Sequence, residues 1–209
     1  MRFDGQVRAK KHLGQHFLKD ESIAERIAAV VPFEGVEKVL EIGPGSGHFA
    51  KNWLTRHPKT KYYAVETDSS CHNNLTNIGV MLIDSNTTIN VDLVVISHVL
   101  EHVSNPYEFI KQSTKSLKED GILFIEVPCN DYQHKYFDEP HLLFFDKKPL
   151  NNLLLKSGFF NIELNYYGKR ITTLQKNTLY CPASYFDGKG WDYMSLLNDQ
   201  FYIGDYNTM

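Results

Sequence analysis

Cysteine is scarce: Cys71, Cys129 and Cys181 are the only three in 209 residues, and they stand far apart. There is no CxxC pair and no zinc-type spacing, so neither a disulfide framework nor a zinc ribbon organises the chain. Free thiols in a reducing compartment are the simple expectation. An apolar run of about 18 residues is also missing, which argues against a membrane-spanning helix. The first residues carry charge but no apolar h-region and do not read as a secretory signal, so the cytoplasm is the expected compartment. No strong excess of positive charge exists either. The formal net charge is −3, whereas a protein built to grip a phosphate backbone is usually basic. Internal repeats and low-complexity tracts are absent.

What is present is a globular pattern in three stretches. Residues 1–20 form a basic, polar arm containing Arg2, Arg8, Lys10 and Lys11. Residues 21–170 carry the periodic pattern of one domain, and residues 171–209 form an aromatic-rich extension that is either a lid or part of the same domain. A helix is expected from Ser22, which has capping-box spacing to Glu25, with Ile23, Ile27, Val30 and Val31 on its apolar face. Short apolar runs at 38–42, 61–65, 80–83, 93–96, 122–127 and 159–167 read as strands. Helices are expected after Gly47, over 68–78, from Ser104 to near Gly121, and over 148–157. Strands alternating with helices predict an α/β fold with a Rossmann-like, doubly wound, mostly parallel sheet. In such sheets ligands bind beyond the carboxyl ends of the strands.

The residues that carry chemistry fall at those ends. Gly43, Pro44, Gly45, Ser46 and Gly47 lie between the first strand and a helix. Glycine has no Cβ, so a backbone there can turn sharply and approach a ligand closely. Glu66 closes the next strand, about 20 residues further on, where a carboxylate can accept both hydroxyls of a ribose. His48 stands where the dinucleotide fingerprint has its third glycine. The pattern is therefore GxGxG, which suits a nucleoside cofactor with an amino acid tail better than one with a pyrophosphate. Glu41 is placed near that tail's ammonium, and Asp84 is placed to accept from an adenine amino group. Thr67, Ser85, Ser97 and His98 complete the candidate cofactor set.

These stretches resemble a known family. Val39-Leu-Glu-Ile-Gly-Pro-Gly-Ser-Gly-His-Phe-Ala50 is similar to the first motif of class I S-adenosylmethionine-dependent methyltransferases. Val94-Val-Ile-Ser-His-Val-Leu-Glu-His-Val103 resembles their fourth strand and the loop after it, and Leu117–Val127 resembles the approach to their fifth strand and the strand itself. Within that family the stretch Leu100–Pro106, the His141-Leu-Leu-Phe-Phe145 segment and Gly158-Phe159 resemble the broad group acting on small molecules, quinones and sugars. The similarity spans about residues 36–165. It implies S-adenosylmethionine as cofactor, a small-molecule acceptor, and His98 and His141 as acceptor-side, catalytic residues; histidine titrates near neutral pH and suits a general base.

A second resemblance competes at the amino-terminal end. Lys10–Asp20, with Gly14-Gln15-His16-Phe17-Leu18, is similar to the opening of the ribosomal RNA adenine dimethyltransferases, and the similarity continues through Glu66. It implies RNA adenine N6-methylation as the alternative. That family carries an Asn-Leu-Pro-Tyr type motif after its fourth strand, to hold and stack a flipped base; here Ser97-His-Val-Leu-Glu101 stands instead. A cofactor-binding protein without catalytic activity is the remaining alternative. The HxxEH spacing of His98–His102 matches a zinc-protease pattern, but that chemistry needs a helix and a further distant ligand, so no metal is expected. The pair His134 and His141 brackets an aromatic, polar segment leaving the fifth strand.

Overall fold

The alternating pattern resolves into one seven-stranded sheet in the order β3-β2-β1-β4-β5-β7-β6. The computed structural model describes residues 25, 27–29, 31, 33–128, 142–143, 145, 147–167 and 199–206, without the side chains of 128, 166–167 and 199–206. The arm over residues 1–20, His134, His141 and most of the stretch after residue 167 lie outside the described residues. The strands are β1 (Lys38–Ile42), β2 (Lys61–Val65), β3 (Met81–Leu82), β4 (Val91–Ser97), β5 (Leu117–Pro128), β6 (Phe159–Tyr167) and β7 (Asp199–Tyr206). The helices are α1 (His48–Arg56), α2 (Ser69–Asn77), α3 (Pro106–Ser113) and α4 (Lys147–Lys156). Strands β1 to β5 pair in parallel, and β7 runs antiparallel between β5 and β6.

Residue alternation splits the core between the two faces of the sheet. Val39, Leu93, Val95 and Phe124 point to one face with Trp53 and Phe49 of α1 and Leu75 of α2. Leu40, Val94, Ile96 and Ile125 point to the other with Ile110 of α3 and Leu150 and Leu154 of α4. Leu93 to Ile96 are fully buried, as a central parallel strand covered on both faces requires. Ile27 and Val31 are buried against the first face, in line with the apolar face expected of the first helix; Ser22, Ile23 and Val30 lie outside the described residues. No helix among the described residues is long and apolar enough to cross a membrane.

Helix α3 corrects one expectation. It starts as read, with Pro106 in its first turn and the Asn105 side chain accepting from the Glu108 N–H at 3.2 Å. It stops at Ser113 rather than near Gly121, and Leu117–Asp120 already belong to β5. The cause is local. The Ser116 carbonyl accepts from Val91 N–H at 2.9 Å, and its hydroxyl from Ile89 N–H at 3.0 Å. Those bonds draw residues 114–117 out of the helix to satisfy the start of β4. Strands β4 and β5 also extend beyond the 93–96 and 122–127 runs, while β3 is only two residues long.

Candidate cofactor and acceptor site

Two acids frame the glycine loop from beneath and beside it. Glu41 on β1 is buried, and Tyr62 on the neighbouring β2 donates its hydroxyl to Glu41 Oε2 at 2.7 Å. Burial pushes the Glu41 carboxyl up to about 7; the Tyr62 hydrogen bond works against this and the nearby Glu66 charge adds to it. Burial, and the acid beside it, also push the Tyr62 phenol well above its ordinary range.

Gly43 takes φ 71° and donates its N–H to the Val65 carbonyl at 2.9 Å. A Cβ there would lie 2.7 Å from Val99 Cγ2, so the loop after β1 rests directly on the loop after β4. Gly47 takes φ 83° at the start of α1, and its N–H closes the turn onto the Pro44 carbonyl at 2.9 Å. Gly45 N–H donates to Glu66 Oε2 at 2.8 Å, and Asp68 N–H donates to Glu66 Oε1 at 2.7 Å. Glu66 thus ties the glycine loop to the end of β2 and to Asp68, which caps α2 by accepting from Ser70 N–H. Thr67, Asp84 and Ser85 are exposed around the ends of β2 and β3. The Asp84 carbonyl accepts from Thr87 N–H and the Ser85 carbonyl from Lys115 Nζ, each at 2.9 Å.

These residues suit a nucleoside with an amino acid tail. The loop could not hold a side chain at Gly43 without displacing Val99. Each Glu66 oxygen accepts one backbone N–H and retains a further lone-pair direction, which is what a ribose diol needs. Glu41 offers a buried acid beside the loop where an ammonium would favour its charged form.

The other half of the site is built from the ends of β4 and β5. The Ser97 hydroxyl donates to Glu126 Oε2 at 2.5 Å. His98 follows with φ 52°, a left-handed conformation rare outside glycine. Its N–H donates to the Glu126 carbonyl at 3.0 Å. Its Nδ1 lies 3.4 Å from Glu101 Oε1 and its Nε2 lies 3.4 Å from Glu126 Oε1. The His98 side chain keeps 23% of its surface exposed, whereas those of Glu101 and Glu126 keep 1% and 0%. His102 Nε2 stands 3.8 Å from Glu101 Oε1. Burial works to raise the Glu101 carboxyl, but His98 and then His102 outweigh it and hold the group below the usual range. The Glu101 carbonyl accepts from Leu142 N–H at 2.8 Å and Leu143 N–H at 3.1 Å, so the segment immediately after His141 docks on this turn.

The structure brings Glu66, Gly45 and Gly43 together through the loop, and Ser97 and His98 together through Glu126. His98–His102 spans a strand end and the 3-10 turn Leu100–His102, not a helix. Two participants were missed by sequence reasoning. Tyr62 gave no signal, being one of two adjacent tyrosines in a short strand run. Glu126 did: it is the one acid in the apolar run Ile122–Val127, and a charge in a doubly covered strand must find a partner.

The family described as a methyltransferase domain matches residues 15–164 of this chain, and the chain belongs to it. The fold is that of the class I, Rossmann-like methyltransferases. A solved S-adenosylmethionine-dependent methyltransferase from Archaeoglobus fulgidus superposes with TM-score 0.65 at 18% identity, covering 89% of this chain and 94% of that one. A phosphoethanolamine-type N-methyltransferase from Haemonchus contortus, solved with S-adenosylhomocysteine, superposes with TM-score 0.62 at 14% identity, covering 87% of this chain and 51% of that one. The curated relatives match elsewhere in emphasis. Ribosomal RNA small subunit methyltransferase A of Flavobacterium johnsoniae is 52% identical over 63 residues, which are 30% of this chain and 24% of the relative. The chain therefore spans about a quarter of the length of that relative.

Proposed function

We propose that this methyltransferase transfers a methyl group to a small-molecule or sugar-type acceptor. S-adenosylmethionine is its cofactor, and when bound it supplies an electrophilic methyl group. The observation that carries the reading is Glu66, held at the end of β2 by the Gly45 and Asp68 amides. In that position its carboxylate is pre-oriented for the ribose hydroxyls. The Gly43–Gly47 backbone, with Pro44, receives the amino acid portion, and Glu41 faces its ammonium. Asp84, with Ser85 and Thr67 nearby, takes the adenine end. Ser97 and His98 border the methyl-transfer side. Positioning carries much of the catalysis, because the methyl group needs only an aligned nucleophile. Where the acceptor is a hydroxyl, His141 is the proposed base; its neighbours Leu142 and Leu143 donate to the Glu101 carbonyl.

RNA adenine methylation is the second reading, and the 52% identity over 63 residues favours it. Against it stand Ser97–Glu101 in place of a base-stacking motif, and the net charge of −3. A calorimetric titration with S-adenosylmethionine, S-adenosylhomocysteine and NAD tests the cofactor site. Micromolar binding of the first two and not of NAD is expected, and failure of both sulfur ligands to bind overturns the reading. Mass-spectrometric product detection across hydroxylated small molecules, sugars and ribosomal RNA then separates the two acceptor classes. Methylated adenine in the RNA arm alone replaces the first reading with the second.

A further inference from the structure

We propose that His98 serves the acceptor site as an imidazolium wedge between two buried carboxylates, a positioning residue that locks the turn after β4 to the end of β5, and that it is not the base. The inference rests on the acceptor-side placement proposed above. Each ring nitrogen faces a different acid: Nδ1 faces Glu101 and Nε2 faces Glu126, both at 3.4 Å. A neutral imidazole has one N–H and one lone pair. In this geometry the lone pair of either neutral tautomer would point at a carboxylate oxygen. Only the doubly protonated ring offers a donor to both sides, and two adjacent negative charges favour that form.

The carboxylates need the ring as much as it needs them. Glu101 Oε1, Glu101 Oε2 and Glu126 Oε1 are buried and make no hydrogen bond among the described residues. The second oxygen of Glu126 is already taken by Ser97. Among the described residues, the ionisable side chains facing the ring and its acids include Glu101 and His102 from the turn and Glu126 from β5. Two acids shielded this deeply require a cation within reach, because an unpaired buried charge is strongly unfavourable. The left-handed backbone at His98 is the cost of putting the ring between them, and such strain concentrates where a side chain must be aimed. A base, by contrast, must turn a lone pair toward the proton it removes, whereas both nitrogens of His98 lie beside carboxylate oxygens.

The decisive measurement is the ring nitrogen-15 spectrum of His98 in the full-length protein, titrated from acid to alkaline pH with S-adenosylhomocysteine present and absent. Both ring nitrogens are expected to stay protonated at neutral pH, with a titration midpoint at least about one unit above the ordinary histidine value near 6.5. Glu101→Gln and Glu126→Gln should each lower that midpoint. A ring carrying one proton at neutral pH, titrating near its ordinary value, overturns the assignment. If the glutamine variants fail to fold, the titration of the unmodified protein decides alone. The spectrum needs no acceptor: a doubly protonated ring upholds the wedge even when the acceptor panel yields no product, and a singly protonated one removes it even when product forms.

Discussion

Along the carboxyl edge of the sheet, the β1–β2 side and the β4–β5 side hold their acids by different means. Glu66 accepts two backbone N–H groups at 2.7 and 2.8 Å, and Glu41 accepts a tyrosine hydroxyl at 2.7 Å. Glu126 accepts one short bond, from the Ser97 hydroxyl at 2.5 Å, but Glu101 Oε1 and Glu126 Oε1 face histidines only at 3.4 Å or more, and Glu101 Oε2 makes no hydrogen bond among the described residues. Short directional bonds fix a carboxylate before any ligand arrives, as a cofactor common to a whole family requires. Charge pairing at longer distance fixes a loop while leaving its geometry adjustable, which suits the half proposed to meet the acceptor. The two sides also respond oppositely to protons, since Glu41 is raised to about 7 and Glu101 is lowered.

The largest expected effect lies on the charge-paired side. His98→Leu removes the cation shared by two buried acids and should destabilise the protein by about 3–5 kcal/mol at neutral pH. Urea unfolding of the variant checks this; a loss below about 1 kcal/mol would mean that the acids do not depend on the ring. Next in size is the opposite pH response. Because the Glu41 carboxyl is raised to about 7 in the folded protein from its ordinary value of 4.5, the folded state holds more protons between those limits. Stability should therefore fall as pH rises through that window, by about 3 kcal/mol in all. Glu41→Gln should flatten that fall. Glu101 contributes in the other sense: its stabilisation is present above the ordinary carboxylate value and is lost as pH falls through the lower folded value. Glu101→Gln should therefore leave the variant less responsive to acid. Unfolding curves across pH that move together in both variants would collapse the contrast.

On the hydrogen-bonded side, Glu66→Ala removes a charged hydrogen-bond acceptor from the ribose position. It should weaken S-adenosylmethionine binding by about 1.5–3 kcal/mol, or at least roughly tenfold, by calorimetry. Unchanged affinity in a folded variant would refute its role. The smallest effect is expected of Tyr62→Phe, which preserves the ring and deletes one hydrogen bond to Glu41. A loss of about 1 kcal/mol in thermal or urea unfolding is expected, with the Glu41 midpoint moving further up, since that bond lowers it.

The same division governs what could be read from the sequence. Strand β2 and the turn over Gly43–Gly47 were legible in position, because positive-φ glycines between a strand and a helix, and an acid at a strand end, are matters of backbone freedom and spacing. Those properties have a spacing, and spacing is visible in one dimension. Helix α3 was misread toward Gly121, since its end is set by bonds that Ser116 accepts from Ile89 and Val91, far away in the chain. The partners of His98 were half legible: Glu101 and His102 are its neighbours in the chain, but Glu126 meets it only through the β4–β5 pairing that sets Ser97 beside Glu126. Tyr62 was invisible for the same reason, as its polar end matters only once β1 and β2 are side by side. The placement of β7 was equally hidden, because an antiparallel strand after a long aromatic stretch has no local marker of its partners.

That last strand sets the order of events when the chain is made. Ile122 of β5 pairs with Asp205, and Phe159 of β6 pairs with Tyr206, so both partners of β7 leave the ribosome long before it does. Until residues 199–206 follow, β5 and β6 each present an open backbone edge where β7 later lies. Pairings of such wide sequence separation are slow to close, and waiting edges invite wrong partners. A chain whose residues 199–206 are not yet in place therefore has its sheet split between β5 and β6, with open edges at which wrong pairings can form.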